Sequence, residues 1–333
     1  MSVTIKDIAK LANVSHTTVS RALNNSSLIN ENTKIKINSI AKQLNYVPNY
    51  NAKSLVLDKS YNIGLFFSTL NAGTSPIFFY EAVRGANTVI RDTYNLVVRG
   101  IDDYTDFNNI NSKSFDGIII MSQSRKDDIF IYHVLKQEIP IVVLNRPFNE
   151  SMVVNIVSDD REGAYGIVQY LIQKGHKDIA IIEGKEEFRA TEERKEGYLK
   201  ALIDNNILPQ KRFMVKGNYD IESGYLAMKE LLVLENLPSA VFCSNDDMAL
   251  GAYKAIYEVG KLIPMDISVV GFDDNLFSKY ITPSLTTVKR PIERISEEGT
   301  KMLLEIIQSK TRKQKVIYMN TDLVIRNSIK EIT

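Results

Sequence analysis

The 333-residue chain has one cysteine and no tryptophan. A lone Cys243 excludes an internal disulfide and any zinc site built from cysteines, so nothing here asks for an oxidising compartment. Its neighbours Val241-Phe242 predict a buried strand, which makes the thiol an inert, packed group. No proline precedes Pro48 and no glycine precedes Gly64, leaving the first 45 residues free to be nearly all helix. Long apolar runs are missing too. Nothing approaches the roughly 20 residues of a membrane span, and Lys6, Asp7 and Lys10 interrupt the place where a secretory leader needs its apolar core. The expected location is the cytoplasm, without a membrane partner. There is also almost no net charge: 41 Lys+Arg stand against 40 Asp+Glu, giving +1. Taken alone, that argues against a nucleic-acid binder.

The average hides a split. Residues 1–60 hold eight basic residues and three acidic ones, a local charge of +5, which leaves −4 for the rest. Three helices fit the basic segment. Ile5, Ile8, Ala9 and Leu11 recur at helical spacing until Ala12-Asn13-Val14, where Asn13 can adopt the left-handed conformation of a tight turn. Ser15 is a natural N-cap for a second helix whose inward stripe is Val14, Val19, Ala22 and Leu23. Asn30 caps a third, with Ile35, Ile37, Ile40, Ala41 and Leu44 mostly on its buried side. Two short helices joined by a three-residue turn form a helix-turn-helix, whose second helix enters the major groove. His16, Thr17, Ser20, Arg21 and Asn24 face outward there, able to reach bases or phosphates. Pro48 stops the third helix and Asn49 can cap a short fourth one carrying Lys53 and Leu55. So short a helix is marginal in water and should order only against a partner.

From Asn62 onward, short apolar runs alternate with helical stretches, the signature of a parallel sheet with crossover helices. Strands are predicted at 63–67, 96–98, 117–120 and 139–144, then at 179–182, 240–243 and 267–270. Helices are predicted near 79–91, 160–174, 191–205, 222–234, 246–259 and 291–309. Two α/β halves with a ligand cleft at the carboxyl ends of the strands follow. Support for an enzyme is lacking. There is neither a Gly-rich dinucleotide fingerprint nor a phosphate loop, no Gly-x-Ser-x-Gly elbow, and His133 and His176 are spaced wrongly for zinc. No catalytic residue, cofactor or metal is expected.

Three ordered motifs, Thr4-Ile5-Lys6-Asp7-Ile8-Ala9, then Val14 to Asn24, then Tyr46-Val47-Pro48-Asn49 with Ala52-Lys53-Ser54-Leu55, closely resemble the DNA-binding head and hinge helix of the LacI/GalR family of bacterial transcription regulators. Lys53 stands where that family commonly has Arg. The resemblance implies a helix-turn-helix domain at 1–47, a hinge at 48–60 and an effector-binding and dimerisation domain at 61–333. That last domain is expected to be periplasmic-binding-protein-like, with one subdomain over about 61–159 and 289–321 and the other over about 160–288 and 322–333. It implies a homodimer on a pseudo-palindromic operator, with Thr4, Ser15, His16, Thr17, Ser20, Arg21, Asn24, Asn49 and Lys53 touching DNA and Leu55 wedging into a base step from the minor groove. The absence of a heptad tail after Leu323-Val324-Ile325 favours a dimer over a tetramer.

By position, Arg194, Asn245 and Asp273 match family residues that bind the effector. Asp160 joins them, and Phe78, Phe79, Phe188 and Tyr219 supply flat walls. From chemistry alone, Asn245, Asp246 and Asp160 can equally be helix caps. Arg146 is expected near the cleft, while Asn145 sits where many members carry Asp. With Lys185 and Arg189 close by, this makes the cleft electropositive and favours an anionic sugar. Asp102-Asp103 after Arg99-Gly100, Met121-Ser122-Gln123-Ser124 and Ile182-Glu183-Gly184 resemble hexuronate-utilisation repressors of the family. Galacturonate or glucuronate is then the expected effector. A regulator of another sugar, or a catabolite-control type with a protein corepressor, is the alternative.

Overall fold

A computed structural model describes residues 3–23, 26–44, 46, 59–71, 74–91, 93–309 and 314–332. The contacts divide the chain into Met1–Lys59 and Ser60–Thr333. The expected hinge at 48–60 falls outside the described residues except for its last two, and Asn24, Asn49, Lys53 and Leu55 fall outside them as well.

The first unit holds α1 (Ile5–Ala12), α2 (His16–Leu23) and α3 (Glu31–Gln43). Asn13 turns the chain between the first two with φ 57°, a conformation that Asn tolerates better than most residues. The Ser15 hydroxyl accepts the Thr18 backbone N–H at 3.1 Å, and Asn30 accepts that of Thr33 at 2.8 Å. Ile8, Val19 and Ile37 are fully buried and pack with Ala9, Ala12, Ala22 and Ala41. Leu11 and Ile35, expected on inward stripes, are exposed instead. The inward stripe of α3 runs through 34, 37 and 41, and Ile35 lies about 100° around the helix from it. Lys34 takes the inward place by burying its stem and pairing its ammonium with Glu31 at 2.7 Å.

The second unit contains two parallel sheets. The first comprises β1 (Asn62–Phe67), β2 (Asn95–Gly100), β3 (Gly117–Met121), β4 (Ile141–Leu144), β5 (Val154–Ser158) and β11 (Lys315–Met319), in the order β11-β5-β4-β3-β1-β2. The other comprises β6 (Ile179–Glu183), β7 (Met214–Lys216), β8 (Ala240–Cys243) and β9 (Ser268–Val270), in the order β7-β6-β8-β9. Successive strand residues point to opposite faces. Ile63, Leu65 and Phe67 therefore pack under α4 (Pro76–Ile90) and α10 (Ile292–Ser309), while Phe66, Ile118 and Ile120 pack under α5 (Asp128–Lys136). In the other half, Ile179, Ile181 and Phe242 face α6 (Asp160–Gln173) and α7 (Arg189–Asp204). Ala180, Ile182 and Cys243 face α8 (Ile221–Leu232) and α9 (Asp246–Glu258). Cys243 is fully buried, and burial pushes its thiol up, as an inert packed group requires.

The chain passes between the halves three times: from β5 into α6, from β10 (Thr287–Lys289) into α10, and from β11 into β12 (Asp322–Val324). β10 and β12 pair antiparallel as a separate ribbon. Five elements were not anticipated from sequence: α5, β5, β7, β10 and β11. In β5 the apolar pattern is broken by Asn155, whose side chain is buried because it holds the Phe148 backbone, accepting from its N–H at 2.8 Å and donating to its C=O at 3.1 Å.

Candidate functional site

Loops from the carboxyl ends of both sheets converge on one cavity, lined by Ser75, Phe78, Gln123, Asn145, Phe188, Ala190, Arg194, Tyr219, Asn245, Asp273 and Arg290. Phe188 and Tyr219 stack with centroids 6.0 Å apart and form one wall. The Tyr219 hydroxyl shares a 2.8 Å hydrogen bond with Thr191 Oγ1. Asn245 does two jobs. Its Oδ1 caps α9 through the Met248 N–H at 2.9 Å, and its Nδ2 donates to the Tyr219 carbonyl at 3.0 Å.

The floor is a buried ion network. Asp160 accepts Arg194 Nε and Nη2 on one oxygen, at 3.0 and 2.8 Å, and Arg290 Nε on the other at 3.0 Å. The cap of α6 is Asp159, which accepts the Glu162 N–H, so Asp160 is free for this role. Burial alone would raise the Asp160 carboxyl, but Arg290 and Arg194 overcome it and hold it below the ordinary carboxylate range. Arg194 also donates to the Ser244 carbonyl and reaches Asp273 Oδ1 at 3.5 Å, with its guanidinium 4.0 Å from the Phe272 ring centroid. Burial raises the Asp273 carboxyl, which Arg194 and Arg290 only partly offset.

Behind this floor, Asp246 accepts the Asn275 N–H, the Ser278 hydroxyl and the Thr287 hydroxyl, at 2.7, 2.7 and 2.6 Å. It thereby fixes the loop that carries Asp273. Asn145, Tyr219, Asp273 and Asp274 have φ of 71°, 64°, 111° and 58°. Left-handed backbone at non-glycine residues costs of order 1–3 kcal/mol each and persists where the surroundings impose it. Here those surroundings are the two walls of the cavity. In front of it, the Arg189 N–H donates to the Gln123 carbonyl at 2.9 Å, Ser124 and Phe188 form a β-bridge, and Lys126 pairs with Glu187 at 2.6 Å. These contacts join the two halves of the cleft.

On the first unit, Ser15, His16, Thr17 and Arg21 are exposed and Ser20 is half-exposed, on or at the start of α2. Thr4 has its backbone N–H and hydroxyl on the Asp7 carboxylate at 2.8 and 2.7 Å, bracing the start of α1.

Residues 4–49 match the model of bacterial regulatory proteins of the lacI family, and residues 168–329 match that of the periplasmic binding protein-like domain. A probable HTH-type transcriptional repressor ExuR from Bacillus subtilis (strain 168) is 55% identical over 99% of both chains. Among solved structures, a lac repressor dimer bound to operator and the anti-inducer ONPF matches at TM-score 0.82 and 27% identity, covering 99% of this chain and 100% of that one. A complex of the transcriptional regulator CelR with cellobiose matches at TM-score 0.75 and 28% identity, covering 98% and 99%.

The chain belongs to the LacI family. It is a DNA-binding transcriptional repressor with a periplasmic-binding-protein-like domain, not an enzyme. Among its described residues no helix is long and apolar enough to cross a membrane.

Of the effector residues expected in this LacI-family chain, Phe78, Phe188, Arg194, Tyr219, Asn245 and Asp273 line the one cavity, with Asp160 directly beneath. Two do not. Phe79 packs beside Phe67 at 5.3 Å between ring centroids, on the partly buried side of α4. Arg146 lines a separate cavity with Arg125, Lys126, Glu187 and Arg189, where its guanidinium bonds Ser122 Oγ and Asp128. The positive φ at Asn145 reverses the chain, so neighbours in sequence enter different cavities. Of the other cations expected to make the cleft electropositive, Arg194 lines the cavity, while Arg189 pairs with Glu192 and Glu193. Arg290 was missed. It stands beside Lys289 in the polar stretch Thr286-Thr287-Val288-Lys289-Arg290-Pro291, where nothing local sets it apart from a solvent-facing cation.

Proposed function

We propose that this repressor binds a pseudo-palindromic operator as a homodimer and is released from it by a sugar acid, galacturonate or glucuronate, held in the cavity between its two sheets. The carrying observation is a cavity that joins a stacked aromatic wall, suited to the C–H face of a pyranose, to a carboxylate, three amides and two guanidiniums suited to its hydroxyls and acid group. The ExuR relative favours a hexuronate over other sugars. Ser15, His16, Thr17, Ser20 and Arg21 are the described residues assigned to DNA, Thr4 bracing them; Leu55 and the hinge are assigned the minor-groove wedge. A dimer suits the exposed Leu226, Tyr257, Leu262 and Tyr280 on the second half, since a two-fold operator needs a two-fold protein.

A thermal-shift series tests the effector. Galacturonate or glucuronate should raise the melting temperature of the full chain. Stabilisation by neutral hexoses alone would refute the assignment.

A further inference from the structure

The two guanidiniums of the cavity are spent differently. Arg194 makes four hydrogen bonds within the protein from its five N–H donors, and it is 2% exposed. It holds the floor together and has little left for a ligand. Arg290 makes two, one from Nε to Asp160 and one from Nη2 to Asn145 Oδ1 at 2.7 Å. Its Nη1 stands 3.7 Å from Asp273 Oδ1, beyond hydrogen-bond distance, and Arg290 lines the cavity. A fixed guanidinium with an unspent edge facing a cavity is the geometry that accepts a carboxylate through parallel N–H···O bonds.

Asn145 explains why that edge stays available. Its Nδ2 donates to the Ser122 carbonyl at 3.0 Å, which forces Oδ1 toward Arg290. An aspartate here would set one carboxylate oxygen against the Ser122 carbonyl and the other on Arg290, neutralising it. With asparagine, the carboxylates facing Arg194 and Arg290 beneath the cavity are Asp160 and Asp273, while Glu81 lies on the far side of Arg290. We infer that Arg290 reads the carboxylate of the effector, and that Asn145 acts as its positioning residue, orienting the guanidinium without cancelling its charge. This rests on the reading of the cavity as the site of a sugar-type effector, and it gives the acid-reading role to Arg290 rather than to Arg146 or Arg194.

Calorimetric titration of the full chain with galacturonate and galactose, and with glucuronate and glucose, tests it through the acid-to-hexose affinity ratio. A hydrogen bond to a charged group predicts that wild type prefers an acid by about tenfold or more, and that Arg290→Gln brings the ratio close to one. Arg290→Lys, which keeps the charge and loses the fork, should fall between. Asn145→Asp should also collapse the ratio, and because it leaves Arg290 on Asp160 it carries the test if Arg290→Gln fails to fold. Arg146→Ala should leave the ratio as in wild type. An unchanged ratio in both folded Arg290→Gln and Asn145→Asp overturns the inference while leaving the effector site standing. A wild-type chain that binds none of the four sugars overturns the effector reading itself.

Discussion

In the head, the polar caps reach three residues along the chain, from Ser15 to Thr18 and from Asn30 to Thr33. Beneath the cavity, Arg194 reaches 34 residues to Asp160, and Arg290 reaches 130 residues to Asp160 and 145 to Asn145. These two caps are exposed and each secures the start of one helix. Those of the cavity are mostly buried and shared, so that one carboxylate satisfies two cations. Local bonds fail singly, whereas a shared buried carboxylate leaves two charges without compensation when it is lost.

The largest expected effect follows from removing that carboxylate. Asp160→Ala strips both Arg194 and Arg290 of their common partner, and breaking a buried pair costs about 3–5 kcal/mol. Urea unfolding of the full chain should show the loss in the transition of the effector domain; a loss no greater than that of an exposed pair would break the contrast between the regions.

Glu81 gives a second, pH-dependent test on the far side of Arg290. Burial pushes its carboxyl up to about 7, helped by Asp273 and Glu293 and opposed by Lys289 and Arg290. A raised carboxyl means that the folded state holds the proton more tightly than the unfolded one. Its contribution is therefore fully present below the ordinary glutamate value and is lost as pH rises through about 7. Melting temperatures of wild type should fall over that window more steeply than those of Glu81→Gln. Equal slopes would show that this carboxyl is not held protonated.

The smallest effect belongs to the head. Asn30→Ala removes the acceptor for the Thr33 N–H and should cost about 1 kcal/mol, as exposed caps do. Helix content followed by circular dichroism during denaturation would detect it. A cost matching that of Asp160→Ala would again erase the distinction.

The same difference in reach explains what could be read from the amino acids. Asn13, Ser15 and Asn30 carry their targets a few residues away, so the helix starts and the turn of the head were legible locally. Within the cavity, Arg194, Asn245 and Asp273 were found by family resemblance, and Asn245 proved to serve both the cap and the cavity. Arg290 was not found, because its partners lie over a hundred residues upstream and the short strand before it, β10, has only three residues. Arg146, expected near the cleft, lines a different cavity from its neighbour Asn145, whose left-handed backbone turns the chain between them. Among the strands, β5 was hidden by a buried Asn155 serving the Phe148 loop, and β11 by its largely exposed edge position.

The most direct measurement is operator affinity with and without effector. After selecting a binding site from a random DNA library, fluorescence anisotropy of the labelled site would be recorded with the full chain alone, with galacturonate or glucuronate, and with galactose or glucose. A coupling of about 1–3 kcal/mol predicts that an acid weakens DNA binding by roughly 5–150-fold while the parent hexose leaves it nearly unchanged. Equal operator affinity in the presence of the acids, the hexoses and no sugar would contradict control of this repressor by a sugar acid in its cavity.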